Sequence, residues 1–334
     1  MNSYTRYINT VKGLPVDFIP RVPILMHFAS EYIGASYKQF ASDHNVLAEA
    51  NIRCAEDFGF DQLSCICDSS RETHGFGAEV TYLEETVPKA TYLLEETKNL
   101  NILKKPNPYK SERMFDQIQA VKLYNEKYKG QYSILGWVEG PASCATELRT
   151  MTNFAIDLID DPPFTEDLMD LCTDVEIEFA LAQVKEGCDT IGVGDAVASQ
   201  VSPDLYNNLI LPREKKLIKA IQDAGAYVKL HICGNITHLL PCIAELNVDL
   251  IDIDHMVDVA KVREYLGKKV VITGNLDPVQ DILFGKPEKI MDGFRRVYEK
   301  AGNPYMINAG CEIPPKTPFE NLKALCTKLN YSSN

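Results

Sequence analysis

The 334-residue chain has no block of lysine and arginine: 34 basic residues stand against 47 acidic ones, a formal charge of −13. Polyanions are held by cations that displace their counterions, so this balance argues against a nucleic-acid partner. No apolar run is long enough to span a bilayer. The start, Met1-Asn-Ser-Tyr-Thr-Arg-Tyr-Ile-Asn-Thr10, lacks the charged-then-apolar order of a secretory leader. These absences set the expectation of a soluble cytoplasmic protein with no membrane partner, its ten cysteines kept as reduced thiols. Low-complexity tracts are also missing.

What is present is alternation. Short apolar runs recur between longer amphipathic stretches: Arg21–His27, Asp61–Asp68, Tyr132–Glu139, Thr190–Asp195, Val228–Cys233, Leu250–Asp254, Val270–Asn275 and Tyr305–Cys311. Strands alternating with helices imply right-handed βαβ units and a parallel sheet, and about eight units imply a closed barrel. The expected fold is therefore α/β: a (β/α)8 TIM barrel forming one domain over residues 1–334, with an N-terminal helical extension and a rim excursion after strand 2. The excursion, from about Gly75 to Tyr128, carries Pro88, Pro106 and Pro108 and is expected to end in one helix. Ser202-Pro203 and Thr317-Pro-Phe-Glu320 predict capped helix starts. Lys286-Pro-Glu-Lys predicts a helix ending near Ala301-Gly302.

Read to their C-terminal ends, the runs deliver His27, Asp68, Glu139, Asp195, His231 with Cys233, Asp254 with His255, Asn275 with Asp277, and Cys311. Barrel enzymes build their sites at that face. His231 and Cys233 are two apart on one run, so they leave the same strand face. A thiol arriving from Cys311 completes a soft N/S/S set of the kind zinc selects. Asp68 and Asp195 have a plainer alternative as helix caps. Cys65 and Cys67 share a strand face but read as small core residues. His27, Asp68 and Asn275 are candidate cofactor or substrate contacts, and Glu139 and Asp195 candidate catalytic groups.

Several segments resemble one family. Leu230-His-Ile-Cys-Gly234, Thr273-Gly-Asn275, Asn308-Ala-Gly-Cys311 and Pro314-Pro-Lys-Thr-Pro-Phe-Glu-Asn-Leu-Lys323 look like the zinc methyltransferases of the uroporphyrinogen decarboxylase superfamily. The methylcobamide:coenzyme M methyltransferase branch is the most similar. Glu139-Gly-Pro141, Asp195-Ala-Val-Ala-Ser199 and Val11–Pro20 fit the same group. The resemblance implies zinc held by His231, Cys233 and Cys311, with Asp254 as fourth ligand or His255 in its place. It implies Glu139 and Asp195 as groups facing the substrate or orienting ligands.

It further implies methyl transfer between methylcobalamin or a related corrinoid, carried by a separate partner protein, and a small thiol like coenzyme M or a methyl donor such as a methoxy compound. The chain has no Asp-x-His-x-x-Gly sequence for holding cobalt itself. The decarboxylase's Arg-Gln-Ala-Gly-Arg stretch corresponds here to His27-Phe-Ala-Ser-Glu-Tyr-Ile-Gly34, without arginine. A decarboxylase-type lyase and a non-catalytic barrel that docks a corrinoid protein are the alternative classes.

Overall fold

The strands form where aliphatic and β-branched residues run together and are buried on both faces, the pattern of a sheet wrapped by helices. The computed structural model describes residues 1–332, so the last two positions of the expected domain lie outside the described residues. Its strands are β1 (Gln62–Ser64), β2 (Val80–Thr81), β3 (Lys89–Ala90), β4 (Ser133–Glu139), β5 (Thr190–Gly194), β6 (Tyr227–Ile232), β7 (Leu250–Ile253), β8 (Val271–Gly274) and β9 (Tyr305–Met306). All but β2 and β3 form one parallel sheet in the order β1-β4-β5-β6-β7-β8-β9.

The first expected strand, Arg21–His27, is corrected. It survives only as a bridge between Arg21 and Ile307, with Val22 N donating to Ile307 O at 2.8 Å. On its other side Asp61 N donates to Arg21 O at 2.8 Å, so the segment still lies between the two edges of the sheet and closes the barrel. Pro20 and Pro23 flank the bridge, and proline has no N–H to give a ladder. His27 consequently opens the helix His27–Tyr32 rather than ending a strand.

The helix Ser3–Val11 covers the bottom of the barrel. Tyr7 packs with Val22, Leu250, Val271 and Met306, and its hydroxyl meets Thr190 Oγ1 at 3.0 Å. Burying a side chain of this kind contributes roughly 1.5–3 kcal/mol. That packing fills this end of the barrel, opposite the strand C-terminal face.

The rim excursion is present and contains more than its expected final helix, Glu112–Tyr128: the antiparallel hairpin β2–β3 precedes it, and a short helix, Arg71–Phe76, leads into it. Ser202 caps as expected, accepting from Leu205 N, and the helix Pro287–Ala301 stops at Gly302. The capping box at Thr317 is not formed. The helix there is Phe319–Leu325 without a side-chain cap, because the Thr317 hydroxyl donates back to Pro314 O at 2.7 Å. Among the described residues no helix is long and apolar enough to cross a membrane.

Candidate metal centre

Sheet register places the site. Glu139 pairs with Gly194, Gly194 with His231, His231 with Asp252, and Asp252 with Thr273. Partners in register share a face, so these residues form one tier of the barrel interior. Cys233 follows from the end of β6, and Cys311 comes from the loop after β9. His231 Nε2 lies 3.0 Å from Cys233 Sγ and 3.7 Å from Cys311 Sγ, and the two sulfurs are 3.6 Å apart.

Bonds of about 2.3 Å to sulfur and 2.0–2.1 Å to nitrogen put tetrahedral zinc donors roughly 3.6–3.8 Å apart. Two of the three separations already match, and the third needs only a small opening. Burial alone would hold the His231 ring below its ordinary pKa, but the neighbouring Cys233 charge and the contacts to Asp252 and Cys311 raise it well above. The thiols split: the Cys233 hydrogen bond draws Cys311 down toward the thiolate, while Cys233 is pushed up. A cation entering the trio would therefore find Cys311 drawn toward its thiolate form and would have to displace the protons of His231 and Cys233.

Beneath His231 lies a residue that the sequence reading passed over. Asp252, fully buried, brings Oδ2 to 3.1 Å from His231 Nδ1 and 3.7 Å from Lys229 Nζ. The three atoms are close, yet none meets hydrogen-bond geometry, so all three are buried and unsatisfied. Asp252 Oδ1 is held by Thr273 Oγ1 and by Asn308 Nδ2, the latter at 2.9 Å. Burial would raise this carboxyl, but the Lys229 charge overrides it and keeps Asp252 well below the usual range. The available signal was Asp252-Ile-Asp254: residues two apart on a strand share a face, so either carboxylate could stand beside His231.

Asp254 is not in the donor group, which among the described residues consists of His231, Cys233 and Cys311. Its Oδ2 accepts from Gly234 N at 3.0 Å and its Oδ1 from Met256 N at 3.1 Å, so it braces the turn that carries Cys233. His255 is also outside the group, between Asp254 Oδ1 at 2.9 Å and Asp277 Oδ2 at 3.4 Å. Asn275 donates to Asp254 O and Val257 O and steadies the same loop instead of facing a ligand.

The trio forms part of the wall of a cavity of about 260 Å³, which Asp68, Trp137, Glu139 and Glu312 also line. Trp137 lies across β5, where a Cβ on Gly192 would come within 2.2 Å of the indole and one on Gly194 within 2.7 Å. Two missing side chains make room for the ring. Its Nε1 donates to Glu139 Oε1 at 3.1 Å. Burial first, then the nearby Glu72 charge, push Glu139 well above the ordinary carboxylate range. Glu72, whose Oε1 accepts from Glu139 N at 3.0 Å, is itself raised to about 7 by burial.

Asp195 does not face the cavity. Fully buried, it accepts from Ser143 N at 2.7 Å and Ala142 N at 3.2 Å, capping the helix Pro141–Arg149. The capping alternative therefore describes its position, although the helix is the one that follows β4, not β5. Asp68 reaches the cavity but is clasped by Arg113, with contacts of 2.9 and 2.7 Å, which holds it well below its usual range despite burial. His27 sits at the rim, its N–H donating to Glu312 Oε1 at 2.9 Å and its ring edge-on to Tyr37.

A closed parallel barrel with soft donors at the strand C-terminal face defines a class of barrel proteins equipped for a thiophilic metal. A family model described as Uroporphyrinogen decarboxylase (URO-D) matches residues 2–330, and the chain belongs to that family. It is 29% identical over 344 residues to the methylcobamide:CoM methyltransferase MtbA of Methanosarcina mazei, covering 99% of each chain. It is 25% identical to the methylcobamide:CoM methyltransferase MtaA of Methanosarcina barkeri, over 96% of this chain and 95% of that one. A uroporphyrinogen decarboxylase of Geobacter sulfurreducens is 24% identical over 95% of each. Among solved structures, a methyltransferase from Methanosarcina mazei superposes with a TM-score of 0.89 over 97% of each chain at 24% identity, a shared fold.

Proposed function

We propose that this protein is a zinc-dependent methyltransferase that moves a methyl group between a corrinoid carried by a separate protein and a small thiol or methyl donor. The carrying observation is that His231, Cys233 and Cys311 meet in the wall of a cavity while no other described residue joins them. Structural zinc sites are closed by four protein ligands, whereas catalytic ones keep a position for substrate. Relatives named as methylcobamide:CoM methyltransferases support the same reading.

Zinc held by these three residues would supply a thiophilic Lewis acid that keeps a substrate sulfur as thiolate, or draws charge from a leaving group. The protein's own groups do the rest. Cys233 and Cys311 supply two negative charges, and Trp137 with the apolar wall limits water. The proton a thiol gives up passes to solvent, because burial already holds Glu139 toward its protonated form. In the thiol direction a sulfur lone pair forms the S–CH3 bond. The Co–C bond breaks with both electrons left on cobalt.

A decarboxylase reading is disfavoured by the cavity, whose lining among the described residues holds no arginine or lysine to neutralise a polycarboxylate. The test is metal content and turnover together. The purified protein should carry about one zinc per chain, retained far more weakly in Cys233→Ala and Cys311→Ala. Free methylcob(III)alamin with a thiol, or cob(I)alamin with a methoxy or methylthio donor, should show the corrinoid colour change only with zinc present. Full zinc retention in both variants would overturn the assignment.

A further inference from the structure

We infer that the cavity selects a small thiol or methyl compound without negative charge, and rejects one with an anionic tail. This rests on the functional reading above and goes on to name the substrate class.

Consider first what an anion would meet. Among the described residues, no lysine or arginine lines the cavity. The guanidiniums closest to it are committed elsewhere. Arg113 holds both oxygens of Asp68 and also donates to Ser70 Oγ and Ala41 O. Arg71 is turned to Cys67 Sγ and the Arg113 carbonyl. Lys229 lies beneath His231, buried and facing Asp252. The wall instead carries Glu139 and Glu312, neither of which has a basic partner. An anionic tail entering here loses water and gains no counter-charge.

An uncharged or cationic tail meets the opposite conditions. Ile24, Met26, Ile66 and the Trp137 ring offer apolar and aromatic surface. An indole face attracts a cation, and an ammonium would favour the ionised form of Glu139 as its partner. A volume of about 260 Å³ restricts the occupant to a small molecule, below the roughly 300–1,000 Å³ of drug-sized sites. A charge desolvated without a partner costs at least roughly tenfold in affinity.

The protein provides its own reporter, since Trp137 is its one tryptophan and lines the cavity. Zinc-loaded, full-length protein is titrated with two charge-graded series while tryptophan emission is followed. The thiols are 2-mercaptoethanesulfonate, 2-mercaptoethanol and cysteamine; the methoxy compounds are methoxyacetate, 2-methoxyethanol and 2-methoxyethylamine. In whichever series binds, the neutral and cationic members should have Kd values at least tenfold below that of the anion. Glu139→Gln, which keeps an acceptor for Trp137 Nε1 but cannot ionise, should weaken the cation and leave the gap between neutral compound and anion in place.

Anions binding as tightly as their neutral analogues, in the wild type or in Glu139→Gln, or a cation held as tightly by Glu139→Gln as by the wild type, would overturn the inference. Methyl transfer to 2-mercaptoethanesulfonate at full rate would do so while leaving the proposed function standing. If neither series binds nor reacts with the zinc-loaded protein, the functional reading fails and the inference falls with it.

Discussion

Removing the Asp252 carboxylate should loosen zinc without touching a ligand. Zinc on His231 Nε2 leaves the ring proton on Nδ1, and the structure offers that proton one carboxylate oxygen, Asp252 Oδ2 at 3.1 Å. Partners of this kind are worth roughly 10–100-fold in metal affinity, or about 1.4–2.7 kcal/mol. Asp252→Ala also strands Lys229, which is 1% exposed and has no other acceptor among the described residues. An uncompensated buried charge costs about 3–5 kcal/mol, whereas replacing both members of a buried pair is often neutral. The decisive variant is therefore Lys229→Met with Asp252→Leu, which should recover most of the lost thermal stability yet keep the weaker zinc binding. Competition with a chromophoric chelator measures the affinity, and melting of the zinc-free protein measures stability. Wild-type zinc affinity in a folded double variant would refute the argument, because it would mean the imidazole needs no acceptor.

Other residues give separable outcomes. Asp195→Ala should destabilise the fold by about 1–3 kcal/mol through the unpaired N–H groups of Ala142 and Ser143; melting tests this, and an unchanged Tm would contradict the capping assignment. Gly192→Ala would place a Cβ 2.2 Å from Trp137, so the indole must move, at a cost of roughly 1–3 kcal/mol. Its emission spectrum should shift, and an identical spectrum would show the ring is not seated there. The buried carboxyls of Glu72, at about 7, and Asp195 and Asp189, at about 6, are all raised by burial from ordinary values of 4.5 and 3.8. Between the ordinary and raised values the folded state binds more protons than the unfolded one, so stability must fall as pH rises from about 4.5 to 7. Zinc-free protein melted across that range should lose Tm toward neutrality; a flat or rising profile would count against the buried acid group.

Much of the architecture was legible in the order of residues. Seven of the eight apolar runs became regular strands because aliphatic and β-branched stretches between helical segments can be satisfied only in a buried parallel sheet. The exception, Arg21–His27, carries the counter-signal in Pro20 and Pro23. His231, Cys233 and Cys311 were legible for a similar reason: strand alternation sets which side chains share a face, and the strand ends of a barrel converge.

What alternation leaves undecided is which of two carboxylates on one strand face reaches a neighbour. Asp252 and Asp254 differ by one pleat, and only the register of β6 against β7 set Asp252 beside His231 and turned Asp254 to the Gly234 backbone. Asp195, likewise, could be seen in the sequence as a strand-end acid. Its placement depends on β4 and β5 being adjacent, which brings it beneath the N–H groups of Ala142 and Ser143. Residue type and spacing determined the barrel and the soft donors. Register and burial between distant segments decided which charges became ligands' supports, which became caps, and which were left facing the cavity.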